Sequence, residues 1–410
     1  MNDIISNLYE SWFSKGYPQD WKISRIKDLI SLIRKEKNKS EETPVISLTI
    51  NGVKLKKNLS EGMNPETYIG HQLVYPGDLV ICLRDLDGPL LVGISEHYGC
   101  TSNLYVILQI ANQNIEYYNH VFKTMDFLRV IDDFSYGMRH SYNISQFGQL
   151  RLPVPQRYIQ DRIVKELNTL EVKINQLINN QQQQIEKLKE YKQSLISEVV
   201  TKGLDSNVKL KDSGIDWIGK IPVHWNIVPL KYSSNITMGQ SPKSESYNTE
   251  QVGKPFLGGN SDITDGFSSP KYYTTEITKT CKKGDILMSV RAPVGTIAKS
   301  SHDAVLGRGL CSIKSKISND FTYFYMCFLE NKWNEYITGT TFDSVNADDI
   351  KNMPYVLAPT DEILHLLEYM NNKTKLIDRL IKIMVDKVVC LNDYKKSLIY
   401  EYVTGKKEVS

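Results

Sequence analysis

No run of about 18 consecutive apolar residues occurs in the 410-residue chain, so the sequence offers no membrane-spanning helix. The opening MNDIISNLYESWF lacks the basic start and unbroken apolar core of a secretory leader, which predicts a cytoplasmic protein with no membrane contact. Cysteine is scarce and dispersed. Cys82, Cys100, Cys281, Cys311, Cys327 and Cys390 form no C-x-x-C pair, and read as reduced structural thiols rather than a metal or redox centre. An excess of one charge is missing too: 50 Lys and Arg stand against 47 Asp and Glu, a net of +3. Composition therefore does not announce a nucleic-acid binder, nor does it exclude one that shares phosphate contacts with other subunits.

Catalytic signatures are equally lacking. There is no G-x-x-x-x-G-K-[ST] phosphate loop and no G-x-G-x-x-G opening a helix, and GRGLC at Gly307 supplies only part of such a cradle. His71, His97, His120, His140, His224, His302 and His365 stand alone, without H-E-x-x-H spacing. A G-x-S-x-G elbow is missing, as are the Asn-Pro-Pro-aromatic and Asp-Pro-Pro-aromatic motifs with which amino-methylating DNA enzymes hold a flipped base. Scattered acids such as Asp262 and Glu276 make no nuclease pattern. The reading is of a chain that is not an enzyme and binds no metal or cofactor of its own.

What is present is length and repetition. The chain exceeds the usual size of one core, and its 41% apolar and 24% charged residues are those of a folded protein. Leu188 to Thr201, LKEYKQSLISEVVT, aligns without gaps to Leu391 to Thr404, LNDYKKSLIYEYVT, 203 residues on, with nine of fourteen positions identical. PQDWKI from Pro18 answers PVHWNI from Pro222, PGDLV from Pro76 answers KGDIL from Lys283, and LRLPVP ending at Pro155 answers IKNMPYVLAP ending at Pro359.

After each closing proline comes a helical pattern with apolar residues at alternating steps of four and three. The first seam runs Ile163, Leu167, Leu170, Ile174, Leu177, Gln181, Gln184, Leu188, Tyr191, Leu195; the second runs Leu366, Met370, Lys373, Ile377, Leu380, Met384, Lys387, Leu391, Tyr394, Leu398. One such helix cannot bury its stripe alone, so the two are expected to pair through Leu167, Ile174, Leu177, Leu188 and Leu195 against Met370, Ile377, Leu380, Leu391 and Leu398. Gln181, Gln184, Lys373 and Lys387 interrupt the stripe, and either set register or mark a solvated stretch. A helix of some 36 residues is roughly 54 Å long. Antiparallel pairing would relate the attached segments by an approximate two-fold axis.

The segments between are rich in short β-prone runs such as HQLVYPGDLVICL, SNLYVILQI and GDILMSV, punctuated by Gly and Pro, and read as mixed α/β. Their loops carry residues able to contact bases and phosphates: Arg84, Arg139, His140, Tyr142 and Asn143 in the first, and Lys243, Ser244, Arg291, Arg308, Thr340, Thr341 and Asn346 in the second. Arginine can bridge a guanine edge and asparagine an adenine edge, while Lys, Ser and Thr mostly hold phosphates. For any one of these residues a solvated surface role is the competing reading.

DSGIDWIGKIPVHWNIVPL from Asp212 resembles the signature that opens a target-recognition domain in Type I restriction-modification specificity subunits, and GDILMSVRAPVGTIA and GTTFDSVN are similar to later stretches of it. SWFSKGYPQDW from Ser11 keeps only traces of that signature, with one more residue between Trp12 and Pro18 than between Trp217 and Pro222. The resemblance implies an α/β (α+β) architecture: target-recognition domains at 1–155 and 204–359 alternating with conserved helical spacers at 156–203 and 360–410, which pair as an antiparallel coiled coil. It also implies that each domain reads one half of a bipartite sequence in double-stranded DNA and that the helices set the gap. Two methyltransferase subunits would dock on the chain, joined by restriction subunits, and these partners would hold S-adenosylmethionine, ATP and Mg. The rival reading, a coiled-coil scaffold without DNA recognition, leaves the two loop-rich domains without a purpose.

Overall fold

Two short runs 207 residues apart, Leu79–Cys82 and Ile286–Ser289, form the middle of two sheets built to one plan. In the computed structural model, which describes residues 17–56, 65–84, 86, 88–110, 112–127, 143–336 and 345–409, both runs are almost wholly buried. Runs of Leu, Ile, Val and Met without alternating polar residues suit strands covered on both faces. In the first sheet the order is Ile30–Ile33, Tyr105–Ile110, Leu79–Cys82, Val92–Ile94, and in the second Ser234–Met238, Leu310–Ser315, Ile286–Ser289, Ile297–Lys299. Every pairing among these strands is antiparallel, and the second sheet continues through Phe267–Ser268 to Ile263–Thr264. A further five-stranded sheet in the second segment, with Lys254–Leu257 at its centre, has no counterpart of that size among the described residues of the first.

The flanking elements repeat as well. A four-residue strand near the start of each segment pairs with the strand that closes it, Lys22–Arg25 with Arg151–Val154 and Asn226–Pro229 with Pro354–Leu357. Ile115–Phe127 and Asn319–Tyr336 are the helices that follow the central strands, with side chains of the latter described as far as Glu330. Trp21 and Trp225, both buried, follow matching turns in which the Trp N–H donates to the oxygen of Pro18 or Pro222.

Each closing strand leads into a long helix, Arg157–Lys202 of 46 residues and Thr360–Val403 of 44. At about 1.5 Å per residue these are about 69 and 66 Å long, more than the 36-residue seam implied, because the helices continue into the globular cores at both ends. The first ends at Gly203 and the second just before Gly405, where positive φ values of 76° and 72° suit glycine beyond a helix C-terminus.

By internal packing the chain divides into two compact units, residues 1–182 with 386–410, and residues 183–385. Both boundaries fall inside the long helices. Within the first unit Ile163, Leu167, Ile174 and Ile178 share a core with Leu398, Ile399, Tyr402 and Val403, and the Lys395 ammonium donates to Asn175 Oδ1 at 3.2 Å. Within the second, Leu195, Ile196, Val199 and Val200 share a core with Ile363, Leu366 and Met370, and Lys192 meets Asp378 at 2.7 Å. In each unit, therefore, the beginning of one long helix packs on the end of the other.

The buried stripe departs from the expected seam at matching places of the two helices, at Leu177 and Leu380 and again at Tyr191 and Tyr394, both of which are exposed. Leu177 is 51% exposed and Leu380 39%, whereas their neighbours Ile178, at 8%, and Ile381 turn inward. A strict seven-residue repeat drifts by roughly 20° per heptad on a straight helix, so the stripe must step over by one residue to stay on the same side. Leu188 and Leu391 are half-buried, while Leu167, Ile174, Leu195, Met370, Ile377 and Leu398 are buried as the pattern requires.

Candidate nucleic-acid interface

At one end of the second sheet the antiparallel pair Ser289↔Leu310 brings two arginines together: Arg291 lies two residues past the end of its strand and Arg308 two residues before the start of the neighbouring one. Backbone bonds carry the cluster further. Val290 N donates to Gly309 O at 2.9 Å and Val345 N to Val290 O at 3.0 Å, so Asn346 joins the same edge. On the other side Arg308 N donates to Ser241 Oγ at 3.1 Å and Gln240 N to Leu306 O at 2.8 Å, bringing in the loop that holds Lys243 and Ser244. Arg291, Arg308, Lys243, Ser244 and Asn346 are all exposed.

Glycine makes this convergence possible. A Cβ on Gly239 would stand 2.1 Å from Gly307 O, and one on Gly309 would stand 2.5 Å from Gly258 O, distances at which any side chain must displace backbone. The Asp262 carboxylate accepts from Gly258 N at 2.8 Å and Gly259 N at 3.2 Å, pinning the middle loop. Ser289 Oγ accepts from Thr296 N at 2.9 Å and donates to Pro293 O at 2.7 Å, which closes the loop bearing Arg291. The arginines thus project from a rigid base.

Pairing distinguishes them from Arg25, Arg34 and Arg157, though not from Arg162 and Arg379 of the long helices. Arg34 forks onto the buried Asp78 at 2.8 and 3.1 Å, and Arg25 and Arg157 pair with Asp28 and Asp161. Arg84, Arg291 and Arg308 have no carboxylate within 4.0 Å among the described residues. Exposed guanidiniums on a firm base keep their donors for an external acceptor such as a phosphate or a guanine edge.

The first sheet repeats the arrangement. Cys82↔Tyr105 is the equivalent pair, Arg84 lies two residues past it as Arg291 does, and Asn103 occupies the position of Arg308. Reading the loops alone passes over Asn103 and Lys37. The signal that finds Asn103 is the 205-residue offset aligning SNLYVILQI with GRGLCSIKS.

Asn143 and Asn346, 203 residues apart, have a structural task in the fold. Each is a helix N-cap: Asn143 Oδ1 accepts from Gln146 N at 2.8 Å, and Asn346 Oδ1 accepts from Asp348 N at 2.8 Å and Asp349 N at 3.0 Å. The first helical turn has N–H groups with no partner of their own, and these side chains supply one; both lone pairs of the Asn346 oxygen are thereby taken, while the Asn143 oxygen keeps one. Arg139, His140, Tyr142, Thr340 and Thr341 lie outside the described residues. Among the described residues no group of three His, Cys, Asp or Glu side chains could hold a metal, and no helix is long and apolar enough to cross a membrane.

The two sheets thus each carry an exposed arginine at the same edge position, Arg84 in the first and Arg291 in the second. Residues 222–383 match the family model of the Type I restriction modification DNA specificity domain. The putative type I restriction enzyme MjaX specificity subunit of Methanocaldococcus jannaschii is 28% identical over 95% of this chain and 94% of its own length. The MjaVIII specificity subunit of the same organism is 24% identical over 63% of each chain. Among solved structures, a chain of the type I R-M system solved in a study of complex assembly and conformational transition superposes with a TM-score of 0.72 at 16% identity, covering 96% of this chain and all of that one. The HsdS subunit of Thermoanaerobacter tengcongensis superposes at 0.51 with 18% identity, covering 96% and 98%. At such identities the superpositions speak for the fold.

Proposed function

We propose that this chain is the DNA-reading subunit of a Type I restriction-modification complex, each globular segment recognising one half of a bipartite sequence in double-stranded DNA. The observation that carries the reading is the pair of matching sheet edges: Arg84 and Arg291 stand at the same register position of two copies of one sheet, exposed and without a carboxylate partner among the described residues. Two copies of one reader suit a target made of two halves. Arg308 reads a guanine edge, and Lys243 and Ser244 hold phosphates beside it.

The long helices act as the spacer between half-sites, paired as an antiparallel coiled coil with pseudo-two-fold symmetry, and as the platform on which two methyltransferase subunits dock. The contacts of Lys395 with Asn175 and of Lys192 with Asp378 support antiparallel pairing. Methyl transfer and cleavage belong to the partners, the methyltransferase and restriction subunits, which bring S-adenosylmethionine, ATP and Mg; this chain contributes no catalytic group.

The test is methylation-sensitive sequencing of DNA from cells carrying this gene with its neighbouring methyltransferase gene, against cells lacking this gene alone. A split, asymmetric methylated motif that vanishes with the gene is the expected result. An unchanged methylation pattern in a system shown to be active would overturn the reading and favour the scaffold.

A further inference from the structure

We propose that Asn103 is the base-reading residue of the first segment, holding the place that Arg308 holds in the second, and that its amide recognises an adenine edge. The inference rests on the DNA-reading role and goes further by assigning a residue and a base. In both sheets the residue concerned lies two positions before the strand partner of the strand that leads to the shared arginine, Asn103 before Tyr105 and Arg308 before Leu310. Asn103 is exposed. Its carboxamide is held at both ends, with Oδ1 accepting from Lys37 Nζ at 2.6 Å and Nδ2 donating to Gly70 O at 3.2 Å.

These partners settle which end is which, because an ammonium can only donate and a carbonyl can only accept. One N–H and one oxygen lone pair of the amide are left unused by these two partners, and adenine in the major groove offers the matching N7 acceptor and N6 donor. Asn346 cannot present that pair while its cap holds, since its oxygen already accepts from two backbone N–H groups. With arginine common to both edges, the contrast of Asn103 with Arg308 gives the two segments different hydrogen-bonding codes, as a bipartite target with unlike halves requires.

The experiment is a competition-binding series on the complex assembled with its methyltransferase subunits, using duplexes in which each base pair of the methylated motif is replaced in turn. The wild-type complex is expected to discriminate at one A·T pair of one half by roughly 5- to 150-fold, and Asn103→Ala and Asn103→Asp to bring that position to within about twofold while every position of the other half keeps its discrimination. Asn103→Asp preserves the shape and the Lys37 contact, so it separates loss of the donor from a folding defect. Unchanged discrimination at every position overturns the assignment, as does a uniform loss across both halves. A wild-type complex that binds all sequences alike would overturn the DNA-reading role itself, and the assignment with it.

Discussion

Arg308 and Lys243 stand on neighbouring loops of one edge yet should behave differently when removed. Arg308→Ala is expected to cost about 1–3 kcal/mol of discrimination at one base pair of the second half-site, while Lys243→Ala should weaken binding evenly across sequences and reduce the slope of log affinity against log salt by about 1. Binding isotherms at several salt concentrations on matched and single-mismatch duplexes measure both; equal behaviour of the two variants would remove the division between reading and positioning. A second residue-scale effect lies away from the edge. His120 is buried beside Lys123 on the helix Ile115–Phe127, and burial, followed by the lysine charge, pulls its imidazole down to about 4. Above about pH 6.5 the side chain is neutral in folded and unfolded chains alike and contributes no pH dependence. As the pH falls below 6.5 the unfolded chain takes up the proton and the folded one does not, so stability declines, by up to about 3 kcal/mol on reaching pH 4. Urea unfolding at stepwise pH should give a shallower acid decline for His120→Gln than for wild type, and parallel profiles would contradict the burial argument.

At the scale of elements, the two capping asparagines and the paired helices carry separate loads. Asn346→Ala should cost about 1 kcal/mol in unfolding free energy, the usual worth of an N-cap, and leave the preferred bases of the second half-site as they were. A changed base preference would return Asn346 to the list of readers. In the long helices, Met370 is fully buried, and Met370→Ala should cost about 2–5 kcal/mol, against less than about 0.5 for Leu376→Ala, whose side chain is exposed. The apolar spacing of the helices was legible as sequence because it is local and periodic. The step from Leu177 to Ile178, and from Leu380 to Ile381, was not, because it depends on how straight the helix runs.

For the whole molecule the proposed function requires a preferred distance between half-sites. Gel shifts on duplexes in which the gap is varied base pair by base pair should show a sharp optimum, since helical spacers of fixed length cannot follow half-sites that move along and rotate about the duplex. A flat response would mean that the long helices set no gap.

The sequence alone determined the duplication, the two long helices, the β-rich segments and a set of exposed basic loop residues, since periodicity, turn chemistry and self-similarity are carried by neighbours along the chain. Only the tertiary structure decided which of those residues meet. Arg291 and Arg308 converge because Ser289 pairs with Leu310, and Asn103 gains a fixed amide because Lys37, 66 residues earlier, folds back to it. Asn143 and Asn346 become helix caps because the backbone turns into a helix just after them. Strand register and side-chain hydrogen bonds across tens of residues leave no periodic trace in a sequence, so position along the chain could nominate these side chains but not distinguish a reader from a cap.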